Sequence, residues 1–271
     1  MSTTAPAARG LEQKSGRRVG RWQVTLSVGE LFAGIGGIGL GFERAGFEVA
    51  WQVEKDEWKR RVLEKHWPNV RRHDDVRTFP PHDGTDWSCD VITGGFPCVD
   101  ISNQGNRAGM EGDRSGGGWK EFARIVRDIR PRFVVVENVA AIVVRGLGDV
   151  LGDLAGLGFD ADWRVLDASD FGTRQARRRM FVVGYRSGSV MANTDWWKRP
   201  FPHERTKLCR EITPRPFGGK QPVPNGMRIN KWSSDGVDIG RRIGACADAV
   251  VPSVAQFVAE VILDLDNRRR L

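Results

Sequence analysis

The sequence predicts an α/β protein built on a mainly parallel, doubly wound sheet. Strand-like and helix-like segments alternate between residues 24 and 186, as a series of βαβ units requires. Two of the strand-like runs, FVVVENV (133–139) and MFVVGY (180–185), are apolar almost throughout, the pattern of strands covered by helices on both faces. A glycine-rich turn from Phe32 to Gly39 links the first strand to the first helix, at the edge where open parallel sheets receive ligands.

The elements follow in order. VTLSVGELF (24–32) reads as the first strand and GLGFERAG (39–46) as the helix after the glycine turn. FEVAWQV (47–53) is the second strand and EWKRRVLEKHW (57–67) the second helix, with DVITGGF (90–96) a further strand. The Gly-rich polar stretch from Ser102 to Gly118 is too long and too poor in apolar residues for an ordinary connection, and is expected to be a lid. WKEFARIVRDIR (119–130) is helical, FVVVENV a strand, VRGLGDVLGDLAGLG (144–158) helical and RMFVVGY (179–185) a strand. After Tyr185 the composition changes. Residues 187–235 hold six prolines, nine Lys or Arg and four acids with no persistent period, so a boundary is expected near residue 186. A last helix, PSVAQFVAEVILDL (252–265), puts Val254, Phe257, Val258, Val261, Ile262 and Leu265 on one face and is expected to pack back on the main domain. The expected organisation is therefore a basic, disordered arm (1–23), a main α/β domain (24–186), a short basic region (187–235) and a C-terminal segment with its helix (236–271).

Composition limits the partners. At 271 residues, 40% of them hydrophobic, the chain can bury one large core, and no run approaches the ~20 apolar residues needed to span a bilayer. The N-terminal residues contain no apolar stretch of a secretory signal. A net charge of +8 points to a polyanion, nucleic acid before membrane. The four cysteines, at 89, 98, 209 and 246, form no CxxC pair, and four scattered histidines offer no zinc constellation. Reduced thiols, a cytoplasmic location, no metal and a monomer are expected.

The glycine turn has chemical content. Gly34, Gly36 and Gly39 satisfy G-x-G-x-x-G, and Glu54, 20 residues beyond Gly34, ends the second strand where a ribose-binding acid belongs. Phe32, Gly34, Gly36 and Gly37 would let a cofactor approach the backbone while Glu54 takes two ribose hydroxyls. NAD and S-adenosylmethionine fit this logic equally. Asp75 and Val76, in HDDVRTF, are expected near an adenine, the carboxylate accepting from the exocyclic amine and Val76 covering the ring, with Asp74 the alternative acid. Farther along, Pro97 fixes a rigid bend that presents Cys98 after the strand ending in GGF.

Four blocks, in order, carry a resemblance: FAGIGG, Pro97-Cys98, Glu137-Asn138-Val139, and Gln175-x-Arg177-x-Arg179. Between about Leu26 and Tyr185, and again more weakly near the C-terminus, the chain resembles the cytosine carbon-5 DNA methyltransferases. The resemblance implies a Rossmann-like methyltransferase fold with a small irregular target-recognition domain in residues 187–235. It implies S-adenosylmethionine as cofactor, S-adenosylhomocysteine as product, double-stranded DNA as partner, and Pro97 and Asp248 among the cofactor-binding residues. It further implies that residues 100–118 match the family's mobile catalytic loop. There Ser102 and Gln104 would meet DNA, Gln104 or a neighbour filling the space of a flipped base, while Arg107 and Arg114 grip phosphates.

Chemistry gives the blocks roles. Cytosine carbon 5 is a poor nucleophile until a thiolate adds at carbon 6, and Cys98 is the thiol placed for that. Glu137, with a pKa raised by burial, would protonate ring nitrogen 3. Arg179 would hold ring oxygen 2, orient Glu137 and favour the thiolate, with Arg177 as a brace. The chain departs from the family at Val99, where Gln is usual, and at Ala247-Asp248, where Gly-Asn is usual. Asp248 would set an anion beside the cofactor's carboxylate, where like charges repel. A non-catalytic DNA-binding relative and an NAD-dependent oxidoreductase are the alternatives.

Overall fold

The computed structural model describes residues 25–98, 113–173, 176–187, 245 and 248–269. Seven strands form one sheet in the order β3-β2-β1-β4-β5-β7-β6. They are β1 (Ser27–Leu31), β2 (Glu48–Val53), β3 (Arg71–His73), β4 (Val91–Gly95), β5 (Phe133–Val139), β6 (Phe159–Asp167) and β7 (Arg178–Arg186). The first five strands pair in parallel, whereas β7 runs antiparallel to both β5 and β6. The helices are α1 (Gly37–Arg44), α2 (Glu57–His66), α3 (Asp113–Ile129), α4 (Leu147–Gly156) and α5 (Pro252–Arg269).

The apolar runs are buried as double coverage demands. Alternate residues of β5 enter two separate cores, Phe133 and Val135 on one side and Val134 and Val136 on the other. The first core takes Phe42 of α1, Leu63 of α2, and Val258 and Ile262 of α5. The second takes Trp119, Phe122 and Val126 of α3 with Val150 and Leu154 of α4. The sheet is thus doubly wound, a Rossmann-like arrangement. The six apolar residues named on α5 are all buried, and the helix opens on Pro252, whose missing N–H is no loss in a first turn. Near its other end, buried Asp266 pairs with Arg132, which also reaches Asp90 at 3.4 Å, and Asp90 accepts from the Ser27 N–H at 2.9 Å. One guanidinium therefore ties α5 to the amino-terminal ends of β1, β4 and β5, the edge opposite the one where the first strand feeds the glycine turn.

Some expectations need correction. The lid was expected to run to Gly118, but α3 begins at Asp113 and takes in Gly116, Gly117 and Gly118. Glycine is a poor helix former, by about 1 kcal/mol relative to alanine, so composition argues against this helix start. Packing explains at least one of the three: a Cβ on Gly118 would lie 2.9 Å from Pro97 Cδ. The bare position lets α3 seat against the Pro-Cys bend. Strand β6 escaped the sequence pattern because FDADWRVLD, at the sheet edge, mixes three acids into its apolar residues and leaves Trp163 partly exposed. The N-terminal arm and the basic region 187–235 lie outside the described residues, apart from Ser187. Among the described residues, no helix is long and apolar enough to cross a membrane.

Candidate active site

A cavity of about 460 Å³ opens at the carboxyl edge of β1, β2, β4 and β5. That lies within the ~300–1,000 Å³ range of sites for drug-sized ligands. The two halves of the sheet supply its two ends.

The β1–β2–β3 half presents backbone and carboxylates. Gly36 adopts the left-handed conformation (φ 84°) that starts α1, while Phe32 is held at φ 52°, a costly state for a residue with a side chain. The Gly34 N–H donates to Glu54 Oε2 at 2.7 Å and the Asp56 N–H to Oε1 at 2.8 Å. Glu54 is thereby aimed along the cavity wall with both oxygens fixed. Asp56 in turn caps α2 by accepting from the Trp58 and Lys59 N–H groups. Asp75 caps the short 3-10 turn Val76–Thr78, and its pairing with the Arg77 side chain holds its carboxyl down at about 2. It is therefore a committed anion, already engaged on both oxygens. Asp74 also lines the cavity, so the alternative between these two acids for an adenine amine stays open.

The β4–β5–β7 half is drier. Parallel pairing sets Gly95 beside Glu137, which places Pro97 and Cys98 just beyond the sheet edge next to the end of β5. The Asn138 amide donates to the Phe96 carbonyl at 3.1 Å and fixes this bend. Val139 and Arg179 are paired across β5 and β7, so Arg179 and Glu137 share one face as diagonal neighbours within reach of long side chains. Arg179 Nε lies 3.0 Å from Glu137 Oε1. Burial pushes the Glu137 carboxyl up to about 7, against the opposing pull of Arg179 and Arg177. Burial also raises the half-buried Cys98 thiol, and the Glu137 charge adds to this. The expected pull of Arg179 toward thiolate is present but outweighed in the free protein.

Most of the sequence-predicted residues converge. Phe32, Gly34, Gly37, Glu54, Asp75 and Val76 line one end of the cavity. Pro97, Cys98, Glu137, Arg179 and Asp248 line the rest. Gly36 does not; it faces Trp67 and Leu63 in the first core, and its contribution is the turn itself. Arg177 lies outside this cavity, in a small crevice beside Arg179 and Val250, close enough for its charge to act on Glu137. Arg114 falls on α3, with its side chain outside the described residues, as are Val99, Ser102, Gln104, Arg107, Gln175 and Ala247. Sequence reasoning passed over Asn138, Lys55 and Lys59. Asn138 sat inside a quoted block without a role, and nothing in a helical pattern singles out a lysine that lines a cavity.

Residues 26–235 match the model of the C-5 cytosine-specific DNA methylases. The chain belongs to that family. Among curated members it is similar to the Type II methyltransferase M.Bsp6I of Bacillus sp. (strain RFL6), 35% identical over 193 residues, or 69% of this chain and 60% of the relative. It is also similar to the Type II methyltransferase M.NgoFVII of Neisseria gonorrhoeae, 34% identical over 160 residues, covering 58% of this chain and 42% of that one. The chain spans about half the length of such relatives. Among solved structures, a protein assigned as a DNA modification methyltransferase encoded within an E. coli prophage superposes with a TM-score of 0.53 at 28% identity, over 63% of this chain and 49% of that one. The Dnmt2 methyltransferase of S. pombe superposes with the same score at 18% identity, a likeness of fold.

The family implies S-adenosylmethionine, and the residues present suit it. Gly34 lines the cavity with open space where a Cβ would stand, so the backbone there is bare to a ligand. Beside it are a fixed carboxylate for hydroxyls, in Glu54, and an apolar flank, in Phe32 and Val76.

Proposed function

We propose that this chain is a DNA cytosine-5 methyltransferase that acts on a base turned out of the duplex, through a transient bond to Cys98. S-adenosylmethionine, when bound along Phe32, Gly34, Glu54 and Val76, supplies an electrophilic methyl group, leaving S-adenosylhomocysteine as product. The observation that carries the proposal is the pair of buried Glu137 and partly buried Arg179 beside Cys98 in one cavity.

Each residue has a task that its surroundings suit. Cys98, its thiol proton given to solvent, forms a bond from Sγ to ring carbon 6 as the 5,6 double bond opens and loads electron density onto carbon 5. Once carbon 5 is methylated it loses its proton to water and the Sγ–carbon 6 bond breaks, which restores the ring and frees Cys98. Glu137, with a pKa of about 7, holds a proton near neutrality and delivers it to ring nitrogen 3. Arg179 keeps Glu137 in place and donates to ring oxygen 2. When Glu137 carries the proton, one of the three causes that keep Cys98 a thiol (burial, the Glu137 charge and the Asp248 charge) disappears while the pull of Arg179 persists. The acid thus activates the nucleophile by becoming neutral. An NAD-dependent oxidoreductase would give Cys98, Glu137 and Arg179 no joint role.

On this reading residues 24–186 form the catalytic domain, completed by the C-terminal segment, and the basic residues 187–235 supply target recognition. Bisulfite sequencing of DNA from cells expressing the protein tests the proposal. Methylated cytosines in one sequence context are expected for the wild type and none for Cys98→Ala; equal patterns in the two would refute it.

A further inference from the structure

Beside the glycine turn, Lys59 Nζ of α2 lies 3.6 Å from Asp248 Oδ2 in the segment that leads into α5. Both side chains line the cavity. We infer that Lys59 and Asp248 together receive the amino-acid end of the cofactor, Lys59 taking its carboxylate and Asp248 its ammonium. The inference rests on the proposed use of S-adenosylmethionine.

The pair has the form of a receptor for a zwitterion. An exposed ion pair of this kind stabilises a fold very little, and the Asp248 side chain is 75% exposed. Its separation is well beyond the ~2.7–2.9 Å of a close charge-assisted hydrogen bond, so both groups retain bonding capacity. The position suits one end of an extended ligand. Glu54 marks the ribose, and the Asp248 charge is felt by Cys98 and Arg177, on the side where the methyl group must meet the base. Asp248 is also well anchored. Gly37 is bare where a Cβ would come within 2.4 Å of the Val250 carbonyl, so the segment carrying Asp248 packs directly on the start of α1. This alters the meaning of the acid at position 248: it does not merely repel a carboxylate, because Lys59 stands beside it to receive one.

Calorimetry on the full chain separates the possibilities, with S-adenosylhomocysteine, 5′-methylthioadenosine (which lacks the amino-acid end) and the homocysteine compound without its α-carboxylate as probes. Lys59→Gln and Asp248→Asn should each weaken S-adenosylhomocysteine about tenfold, the size of one lost charged contact, and leave 5′-methylthioadenosine unchanged. Lys59→Arg should retain most of the affinity. With the decarboxylated probe, Lys59→Gln should have no further effect while Asp248→Asn still weakens binding. Equal loss for all probes, or a wild-type preference for S-adenosylhomocysteine that neither substitution alters, would overturn the assignment and leave the cofactor reading standing. A wild type that binds none of the probes would overturn both.

Discussion

The two halves of the cavity treat their carboxylates in opposite ways. On the β1–β2–β3 side, Glu54 accepts from two backbone N–H groups and Asp75 is held at about 2 by Arg77. These are groups kept as acceptors. On the β4–β5–β7 side, Glu137 is 8% exposed and lifted to about 7, even with Arg179 3.0 Å away. That is a group kept able to carry a proton. Burial decides between them, since a guanidinium partner is present in both settings. The comparison teaches that one cavity can keep one carboxyl an anion and another able to hold a proton, with burial the largest difference between them.

The two halves should therefore fail separately. The largest effect is expected for Cys98→Ala, which should abolish methyl transfer while leaving S-adenosylhomocysteine affinity unchanged by calorimetry. Glu137→Gln should lower the rate by about 10²–10⁴-fold, the usual worth of a positioned general acid, again with cofactor affinity retained. Glu54→Gln should do the reverse, weakening the cofactor by about tenfold or more in a binding assay, for the loss of a charged acceptor.

Stability against pH gives a smaller, signed test. Glu30, buried beneath the glycine turn, accepts from the Gly39 N–H at 3.1 Å, and burial lifts it to about 7 as it does Glu137. Both carboxyls hold protons more tightly in the fold than in the unfolded chain. Their contribution is complete below about 4.5 and is lost as the pH rises through about 7. Glu30→Gln should accordingly flatten the fall in melting temperature between pH 5 and pH 8, by about 2–4 °C in a thermal melt. The smallest effect concerns α3. Gly117→Ala points into open space and should be harmless to methyl transfer, whereas Gly118→Ala, whose Cβ meets Pro97 2.9 Å away, should slow it measurably.

How much of this was legible in the sequence follows from the same physics. The runs FVVVENV and MFVVGY announced their strands because double coverage leaves few polar positions, and their register then brought Glu137 and Arg179 together. The glycine fingerprint and Glu54 were legible because a turn and a strand end lie close to each other in the chain. The start of α3 was not, because Gly116 to Gly118 argue against a helix and the contact that favours one, with Pro97, is tertiary. Strand β6 was hidden by its edge position. Lys59 facing Asp248 could not be read from either local pattern, since α2 and the approach to α5 meet only through folding.

The central claim is that Cys98 bonds to a cytosine ring while Glu137 and Arg179 hold its far edge. Duplex DNA carrying 5-fluorocytosine at the target position, incubated with the protein and S-adenosylmethionine, tests it most directly. The wild type should yield a protein–DNA complex that survives denaturing electrophoresis and maps to Cys98, and Cys98→Ala should yield none. Methyl transfer to ordinary DNA with no such complex, or a complex that persists in Cys98→Ala, would contradict the account.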